Sequence, residues 1–332
     1  MHAFETIDSN TAGACDFNLD RDLDFLWLEL TNRCNLQCIH CYTESHPTRD
    51  DRDVLTKQDH ESIMLRAYEL GCRKIQFIGG EPQLSRHFKS LLRTARETGY
   101  EFIEVFSNLT FLDDETLEYS ADNQVCFATS MYSDDPAVHN AVTKVGSSHV
   151  RTVGNLKKLI ANGIVTRAGI IIIDQDDEEV ERTKRFLEDL GVGSVRVSAV
   201  REFGRGEQIL SRSARLSGLC GHWTLLERKA AIAPDGLVYP CVMARQWSVG
   251  NLFQDPLSEI VGGKALKNIR RAIFDSVWLP KIQGSISSAT DPRDPRCHPD
   301  CSEFCDPDST NCPETPCGPQ ACPQSCVPDI PR

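Results

Sequence analysis

The sequence predicts an α/β fold, a partial (β/α)6 TIM-like barrel with a small Cys-rich C-terminal extension. Short apolar strands alternate with helical segments six times between about residues 23 and 203. Parallel strands need crossover helices, so this alternation indicates a parallel sheet. Six units in about 180 residues are too few for a complete eight-fold barrel of ~250 residues, which favours an open one. The alternation then stops, and Cys, Pro, Asp and Ser dominate after Asp291.

We expect the six strands at 26–31, 74–78, 101–106, 125–129, 165–173 and 194–200. Helices are predicted at 56–70, 85–98, 152–162 and 177–190, because each helical pattern ends at a glycine, which readily adopts the left-handed backbone beyond a helix. A hairpin is expected at 230–239, with its turn at Pro234-Asp235-Gly236.

The predicted division of the chain begins with a polar N-terminal extension at 1–22 and the barrel at 23–203. A linker at 204–218 opens the segment 204–296, which starts the extension. A Cys/Pro-rich tail at 297–332 completes it, and this tail needs metal or disulfide cross-links because it lacks the apolar residues for a core of its own.

The composition excludes several classes of protein. Hydrophobic residues make up 40% and charged residues 25%, the balance of a globular domain. No apolar run approaches the ~20 residues that span a membrane, and no secretory signal is visible at the N-terminus. The net charge of −12 argues against binding to nucleic acid and to anionic membrane surfaces.

Fifteen cysteines without a secretory signal predict metal or redox chemistry in a reducing compartment, and therefore a cytoplasmic protein. Three lie at 34–41, two at 220 and 241, and seven between 297 and 326. Cys15, Cys72 and Cys126 stand apart, and we expect them to be small buried or incidental residues.

The first cysteine cluster, Cys34, Cys38 and Cys41, lies in a loop directly after the first predicted strand. Structural zinc sites normally take four ligands, and iron–sulfur clusters usually take four thiolates. Three thiolates would leave one iron of a [4Fe-4S] cluster without a protein ligand and open to a small molecule. A zinc site that borrows a fourth ligand, or incidental cysteines, are the alternative interpretations.

This loop resembles the signature of the radical S-adenosylmethionine superfamily, Cys-x3-Cys-x-aromatic-Cys after the first barrel strand, with His40 at the aromatic position. The resemblance implies a [4Fe-4S] cluster whose open iron chelates the amino and carboxylate groups of S-adenosylmethionine. It also implies reductive cleavage to a 5′-deoxyadenosyl radical, and it places His40 near the adenine.

The resemblance continues along the sheet. Gly79, Gly80 and Glu81 match the family's glycine-rich turn after the second strand, where Glu81 would accept from the methionine amine. Ser107, Asn108 and Ser130 end the third and fourth strands, where relatives contact the ribose and methionine. Some relatives bind the methionine carboxylate with an arginine at the position of Val142, and the substitutes left open here are Lys144 and Arg151.

Cys220, Cys241 and the later Gly250-Asn251-Leu252 resemble a SPASM-type extension, which implies one or two auxiliary [4Fe-4S] clusters. Cysteines of the tail would complete the metal sites, although their spacing departs from the family pattern: Cys297, Cys301, Cys305, Cys312, Cys317, Cys322 and Cys326. A zinc-binding or disulfide-stapled appendage and a tethered leader-like peptide are the alternatives for the tail.

The preferred function is an oxygen-sensitive radical enzyme that matures a ribosomally made peptide by cross-linking, epimerisation or a similar change. The resemblance implies an electron donor such as a ferredoxin or flavodoxin, and a separate peptide-recognition protein is a further candidate partner. A small-molecule radical oxidoreductase or epimerase is the second hypothesis. A non-catalytic zinc or iron–sulfur assembly module is the third.

Overall fold

The computed structural model of the protein describes residues 23–49, 53–219 and 228–278. The strands in these ranges are β1 (Phe25–Glu29), β2 (Lys74–Ile78), β3 (Phe102–Phe106), β4 (Cys126–Met131), β5 (Thr166–Ile172), β6 (Ser194–Ala199), β7 (Lys229–Ile232), β8 (Leu237–Tyr239) and β9 (Gly250–Asn251). The helices are α1 (Lys57–Glu69), α2 (Phe88–Thr98), α3 (Asp114–Asp122), α4 (Pro136–Thr143), α5 (Ser148–Ala161), α6 (Asp177–Asp189), α7 (Gly206–Leu210), α8 (Leu257–Gly262) and α9 (Lys264–Ile273). Short 3-10 turns lie at Pro82–Leu84 and Leu216–Gly218, and a π-helical turn at Phe274–Trp278 follows α9.

The first six strands form a parallel sheet in which each strand pairs with the one before it in the chain. Helices connect successive strands, as parallel pairing requires. This open arrangement confirms the predicted α/β class and the partial (β/α)6 TIM-like barrel. Because all six strands run the same way, their carboxyl ends meet at one edge, where such folds build their sites.

The hairpin predicted at 230–239 is present as β7 and β8, joined through Ala233–Gly236 with Gly236 at a φ of 80°. The sequence did not predict where this hairpin joins the sheet. Strand β7 pairs in parallel with β1, so the sheet continues beyond the barrel in the order β6-β5-β4-β3-β2-β1-β7-β8-β9. The start of the extension is therefore hydrogen-bonded to the strand that carries the first cysteine loop.

Some helix predictions were wrong. Helices α3 and α4 fall where none was predicted, although Asp113 and Asp135 cap their N-termini. The fully buried residues of α3 are the polar Thr116 and Ser120, while Leu117 and Tyr119 are only partly buried, so its apolar pattern is weak. The helix expected from residue 85 begins at Phe88, and the one expected near 152 begins at Ser148. Part of the predicted linker at 204–218 is helical.

The centre of the sheet is covered on both faces, and all five residues of β1 are buried. Leu26 and Leu28 belong to the larger core between the sheet and its helices, whereas Phe25 and Trp27 pack on the opposite face. That inner face holds a polar layer. Arg167 on β5 makes two hydrogen bonds of 2.7 Å to the buried Glu104 on β3, which also accepts from Gln76 on β2.

Two of the isolated cysteines lie within the described ranges. Cys72 is fully buried in the larger core, and Cys126 begins β4 and is half-buried. Cys15 lies outside the described residues. Across the described ranges, every helix is too short or too polar to cross a bilayer.

Candidate functional site

The first cysteine loop leaves the carboxyl end of β1 and is held against α4. The backbone nitrogens of Gln37 and Ile39 donate to the carbonyl oxygens of Thr143 and Val142, each at 3.0 Å. These bonds bracket Cys38, so the last turn of α4 determines where the central cysteine lies.

A segment just after β6 closes the other side of this loop. The guanidinium of Arg205 donates to the carbonyl oxygens of Cys38 and Ser45, each at 2.8 Å, and its backbone nitrogen donates to Cys41 at 3.1 Å. Gly204 adopts a φ of 54°, and a Cβ there would lie 2.5 Å from the carbonyl oxygen of Tyr42. The predicted linker thus contributes directly to the site, which its sequence did not indicate.

Each thiol of the loop has a polar side chain beside it. The amide of Asn108 lies 3.7 Å from the Cys34 sulfur, and the hydroxyl of Tyr132 lies 3.9 Å from the Cys38 sulfur. The Cys41 sulfur lies 3.2 Å from the hydroxyl of Thr43. Such contacts orient and tune thiolate ligands when a metal is bound.

Burial raises the pKa of the Cys38 thiol to about 12, and the neighbouring Cys41 adds to the shift. Burial also raises the pKa of Cys34, with a second contribution from the charge of Glu81. Both thiols are therefore protonated in the metal-free protein near neutral pH. A cluster that takes them as thiolates must displace these protons, which couples its binding to pH.

The three thiols of the loop are the donor type that iron–sulfur clusters take. Three thiols lie in one loop, and within the described ranges no three His, Cys, Asp or Glu side chains converge on one metal ion. Thiolates around a cluster bind different irons and need not converge on one point.

Gly79 and Gly80 bring the end of β2 against the start of the cysteine loop. A Cβ on Gly80 would lie 2.2 Å from the carbonyl oxygen of Arg33, and one on Gly79 would lie 2.5 Å from that of Thr31. The Gly80 nitrogen donates to Thr31 at 2.8 Å. In this structure the close approach that glycine permits is to the loop's own backbone.

Glu81 joins the ends of β2 and β3. Its buried carboxylate accepts from the Ser107 hydroxyl and the Asn108 nitrogen at 2.8 Å and from the Gln83 nitrogen at 3.2 Å. Burial raises its pKa to about 7, against the lowering effect of these hydrogen bonds. The Gln83 side chain is a further hydrogen-bond partner, so this carboxylate is well supplied with donors from the protein itself.

Asn108 links this carboxylate to the cysteine loop. Its amide nitrogen donates to Asn35 at 2.7 Å as well as approaching Cys34, and its amide oxygen accepts from the backbone and hydroxyl of Thr110. Thr110 in turn accepts from the Asn35 amide at 2.7 Å. The predicted residues Glu81, Ser107 and Asn108 are thus brought together into one hydrogen-bonded network, in which Asn35 and Thr110 were missed.

His40 and Ser130 meet at Tyr132, another residue the sequence did not indicate. The hydroxyl of Ser130 hydrogen-bonds to that of Tyr132, and the His40 ring packs edge-on against the Tyr132 ring at 5.0 Å. Burial and then the charge of Arg205 lower the pKa of His40 to about 4, so its ring is neutral. The buried Nδ1 of His40 has no hydrogen-bond partner among the described residues, a vacancy that suits a bound adenine.

Val142 stands where some relatives have an arginine that binds the methionine carboxylate. Val142 is buried beneath the cysteine loop, and Lys144 and Arg151 are exposed. The residue for that carboxylate stays open.

A polar cavity of about 290 Å³ lies where the cysteine loop, the segment after β6 and the extension meet. It is lined by Tyr42, Thr43, Glu44, Arg49, Gly204, Glu207, Gln208, Arg245 and Gln246. Arg245 forms an ion pair with the fully buried Glu29 at the end of β1, which fixes one wall.

The second cysteine region is described in part. Cys241 is buried directly after β8, within the inner core beside Tyr239 and Val242. Cys220 and the tail cysteines, from Cys297 to Cys326, lie outside the described residues.

The fold and the loop together define an iron–sulfur protein built on a partial barrel. Residues 28–187 match a family model described as the radical SAM superfamily, and residues 220–302 match SPASM, an iron–sulfur cluster-binding domain. The chain therefore carries a radical S-adenosylmethionine domain over residues 28–187 and a SPASM extension. The first domain implies a [4Fe-4S] cluster and S-adenosylmethionine, and the second implies auxiliary iron–sulfur binding.

Two curated relatives differ in how much of the chain they match. AlbA of Bacillus subtilis, an antilisterial bacteriocin subtilosin biosynthesis protein, is 23% identical over 296 residues, which cover 79% of this chain and 64% of AlbA. A probable GTP 3′,8-cyclase of Methanocaldococcus jannaschii is 25% identical over 174 residues, covering 52% of this chain and 57% of the cyclase. The chain spans less than two thirds of either relative.

Among solved structures, the fold is similar to that of Streptococcus suis SuiB bound to S-adenosylmethionine. The TM-score is 0.61 at 17% identity, and the match covers 76% of this chain and 68% of SuiB. At this identity the likeness shows the fold, including the barrel.

Proposed function

We propose that this chain is a radical S-adenosylmethionine maturase of a ribosomally made peptide. The observation that carries the proposal is the three-cysteine loop, which the ends of β2, β3, α4 and β6 hold in place at the site edge of the barrel. The match to AlbA supports a peptide substrate because it covers 79% of this chain, whereas the match to the cyclase covers 52%. SuiB, whose fold is similar, has also been solved bound to its precursor peptide SuiA.

Cys34, Cys38 and Cys41 would hold the [4Fe-4S] cluster, with the thiols as ligands once they are deprotonated. Together with bound S-adenosylmethionine, that cluster supplies the 5′-deoxyadenosyl radical that abstracts hydrogen from the substrate. The described residues supply binding and orientation. The Glu81 carboxylate would face the methionine ammonium as its counter-charge, and the neutral His40 lies beside the loop with an unpartnered Nδ1.

The cavity between the cysteine loop and the extension is our candidate for the substrate approach. One of its walls begins one residue after Cys41, and another lies four residues after Cys241. Its lining includes two arginines, two glutamates and two glutamines, which suits a peptide backbone or polar side chain better than an apolar one. An auxiliary cluster that uses Cys241 as a ligand would then lie near the substrate.

The proposal includes partners and a compartment. A ferredoxin or flavodoxin would deliver the electron, and a separate protein would help to recognise the peptide. A reducing cytoplasm suits a chain with so many cysteines. The second candidate, a small-molecule radical oxidoreductase, is favoured by the cyclase match over the barrel.

The test compares the Cys34/Cys38/Cys41→Ala triple variant with the wild-type chain after anaerobic reconstitution with iron and sulfide. We expect the triple variant to form no 5′-deoxyadenosine while its far-ultraviolet circular dichroism matches the wild type. A Cys72/Cys126→Ala double variant is the control, since both cysteines lie away from the loop, and it should retain cleavage. Normal cleavage of S-adenosylmethionine by the triple variant would reject the three cysteines as ligands of the radical-site cluster. Absence of cleavage by the wild type would favour the non-catalytic assembly module.

The substrate class needs its own experiment. The reconstituted wild-type enzyme is incubated with the peptide encoded by any short reading frame found beside its gene, and the mass and stereochemistry of the peptide are followed. A mass change that requires S-adenosylmethionine and the three cysteines supports a maturase. Cleavage of S-adenosylmethionine that leaves the peptide unaltered in mass and stereochemistry favours the small-molecule reading.

A further inference from the structure

Tyr132 follows β4 and is buried beside the central cysteine of the loop. Its hydroxyl donates to the Cys38 sulfur at 3.9 Å and also hydrogen-bonds to Ser130. The side chain is 7% exposed, so water does not compete strongly for this bond. The hydroxyl therefore lies next to the thiolate on which the cluster would depend.

Packing on both sides determines where this hydroxyl lies. The Tyr132 ring contacts the His40 ring at a centroid distance of 5.0 Å and the His139 ring at 5.2 Å. Because these contacts use the ring, a phenylalanine would preserve them and lose the hydroxyl alone. The polar groups beside the other two thiols likewise have second partners, since the Asn108 amide also binds Asn35 and the Thr43 hydroxyl also binds Ser45.

We propose that Tyr132 is a positioning residue that stabilises the reduced state of the cluster through its hydrogen bond to the Cys38 thiolate. One electron passes from a one-electron carrier protein to the cluster. The carrier is oxidised, the cluster is reduced, and the proton stays on Tyr132. Reduction adds negative charge that is shared with the thiolate sulfurs, and hydrogen bonds to those sulfurs help to set the potential. A donor gains strength as its acceptor becomes more negative, so the bond favours the reduced state.

This inference rests on the proposed function, because it needs the three cysteines to hold a cluster. The experiment is a redox titration of anaerobically reconstituted protein, followed by electron paramagnetic resonance. The signal used is the component that changes when S-adenosylmethionine is added, which separates the radical-site cluster from auxiliary ones.

The Tyr132→Phe variant should be harder to reduce. We expect the ratio of reduced to oxidised cluster at a fixed potential to fall roughly tenfold, which is about 59 mV for one electron. Site-specific 3-fluorotyrosine at position 132 keeps the hydroxyl and makes it a stronger donor, so it should shift the potential upward. Opposite shifts from these two replacements would not follow from a purely structural role.

Tyr119→Phe is the matched control. Tyr119 lies on α3, where its ring contacts Arg93, and the potential should match that of the wild type. An unchanged or raised potential in Tyr132→Phe would overturn the proposal. If Tyr132→Phe fails to retain iron, the test rests on the protein with 3-fluorotyrosine at position 132. An unchanged or lowered reduction potential in that protein would reject the proposal. A wild-type protein without a signal responsive to S-adenosylmethionine would instead reject the cluster itself.

Discussion

The guanidinium of Arg205 donates to the carbonyl oxygen of Cys38 at 2.8 Å, across 167 positions of sequence. The same side chain reaches Ser45 beyond the last cysteine, so it bridges the middle and the end of the loop. Arg205 follows the sixth strand, whereas the cysteines follow the first. Arg205 thereby joins the segment after β6 to the loop after β1. The cysteine loop has all of these hydrogen bonds only when β6 is in place.

Replacing Arg205 with Gln should weaken cluster binding. The variant loses charge-assisted hydrogen bonds to two carbonyl oxygens, a change on the order of 1.5–3 kcal/mol. We expect the loop to lose order and the reconstituted protein to retain less iron after gel filtration under anaerobic conditions. Arg212→Gln is the control, since Arg212 is exposed in the same segment. Equal iron retention by both variants would show that the bridge is dispensable.

Two glycine substitutions should have effects of opposite sign. A Cβ on Gly80 would lie 2.2 Å from the carbonyl oxygen of Arg33, so Gly80→Ala must displace the cysteine loop or its own turn. We expect the free energy of unfolding to fall by roughly 1–3 kcal/mol, with less iron retained after reconstitution. Gly154 is exposed in the middle of α5 with nothing within 4 Å of a Cβ, so Gly154→Ala should stabilise by ~0.5–1 kcal/mol.

Urea denaturation of the metal-free variants measures both changes. Iron content after anaerobic reconstitution separates the site from general stability, because Gly154→Ala should retain the wild-type amount. A stable Gly80→Ala protein with full iron content would contradict the role assigned to the close approach of Gly80 to the loop.

Local patterns were sufficient for the strands and the cysteine loop. The six parallel strands and the closing hairpin could be predicted because each is a short apolar run bounded by turn residues. The sequence also indicated Glu81, Ser107 and Asn108, which the structure brings into one network. These three residues could be predicted because each lies at or just after the carboxyl end of a predicted parallel strand.

The contacts that were missed depend on tertiary pairing. Arg205 reaches Cys38 across the opening of the barrel, and Tyr132 reaches the same residue from β4. Neither residue lies in a local motif, so nothing nearby in sequence marks it. The pairing of β7 with β1 has the same character, because a hairpin pattern predicts its own turn and not the strand beside it.

Iron should remain after the radical-site cysteines are removed. The SPASM match spans residues 220–302, and Cys241 is buried against the inner core beside the barrel. The reconstituted Cys34/Cys38/Cys41→Ala protein should therefore hold about four irons or more per chain, the content of one cysteine-held cluster. A further Cys241→Ala change should lower that content, whereas adding Cys72→Ala should not. Zinc in place of iron, or no metal, would show that the extension holds no cluster.

The buried carboxyl of Glu81 should make the stability of the metal-free protein depend on pH. Burial raises its pKa from 4.5 to about 7 in the folded state, so the folded protein binds this proton more tightly than the unfolded chain does. The stabilisation from the protonated form is fully present below pH 4.5 and is lost as pH rises through about 7. Stability should accordingly decrease with rising pH across this window.

Urea denaturation between pH 5 and pH 8 measures the effect by comparing the wild type with Glu81→Gln, which cannot ionise. Over that range the free energy of unfolding should fall by about 2–3 kcal/mol more in the wild type than in the variant. Glu97→Gln, at an exposed position of α2, should follow the wild-type profile. Parallel profiles for the wild type and Glu81→Gln would mean that the Glu81 carboxylate ionises without cost, and that its hydrogen bonds to Ser107 and Asn108 fully offset its burial.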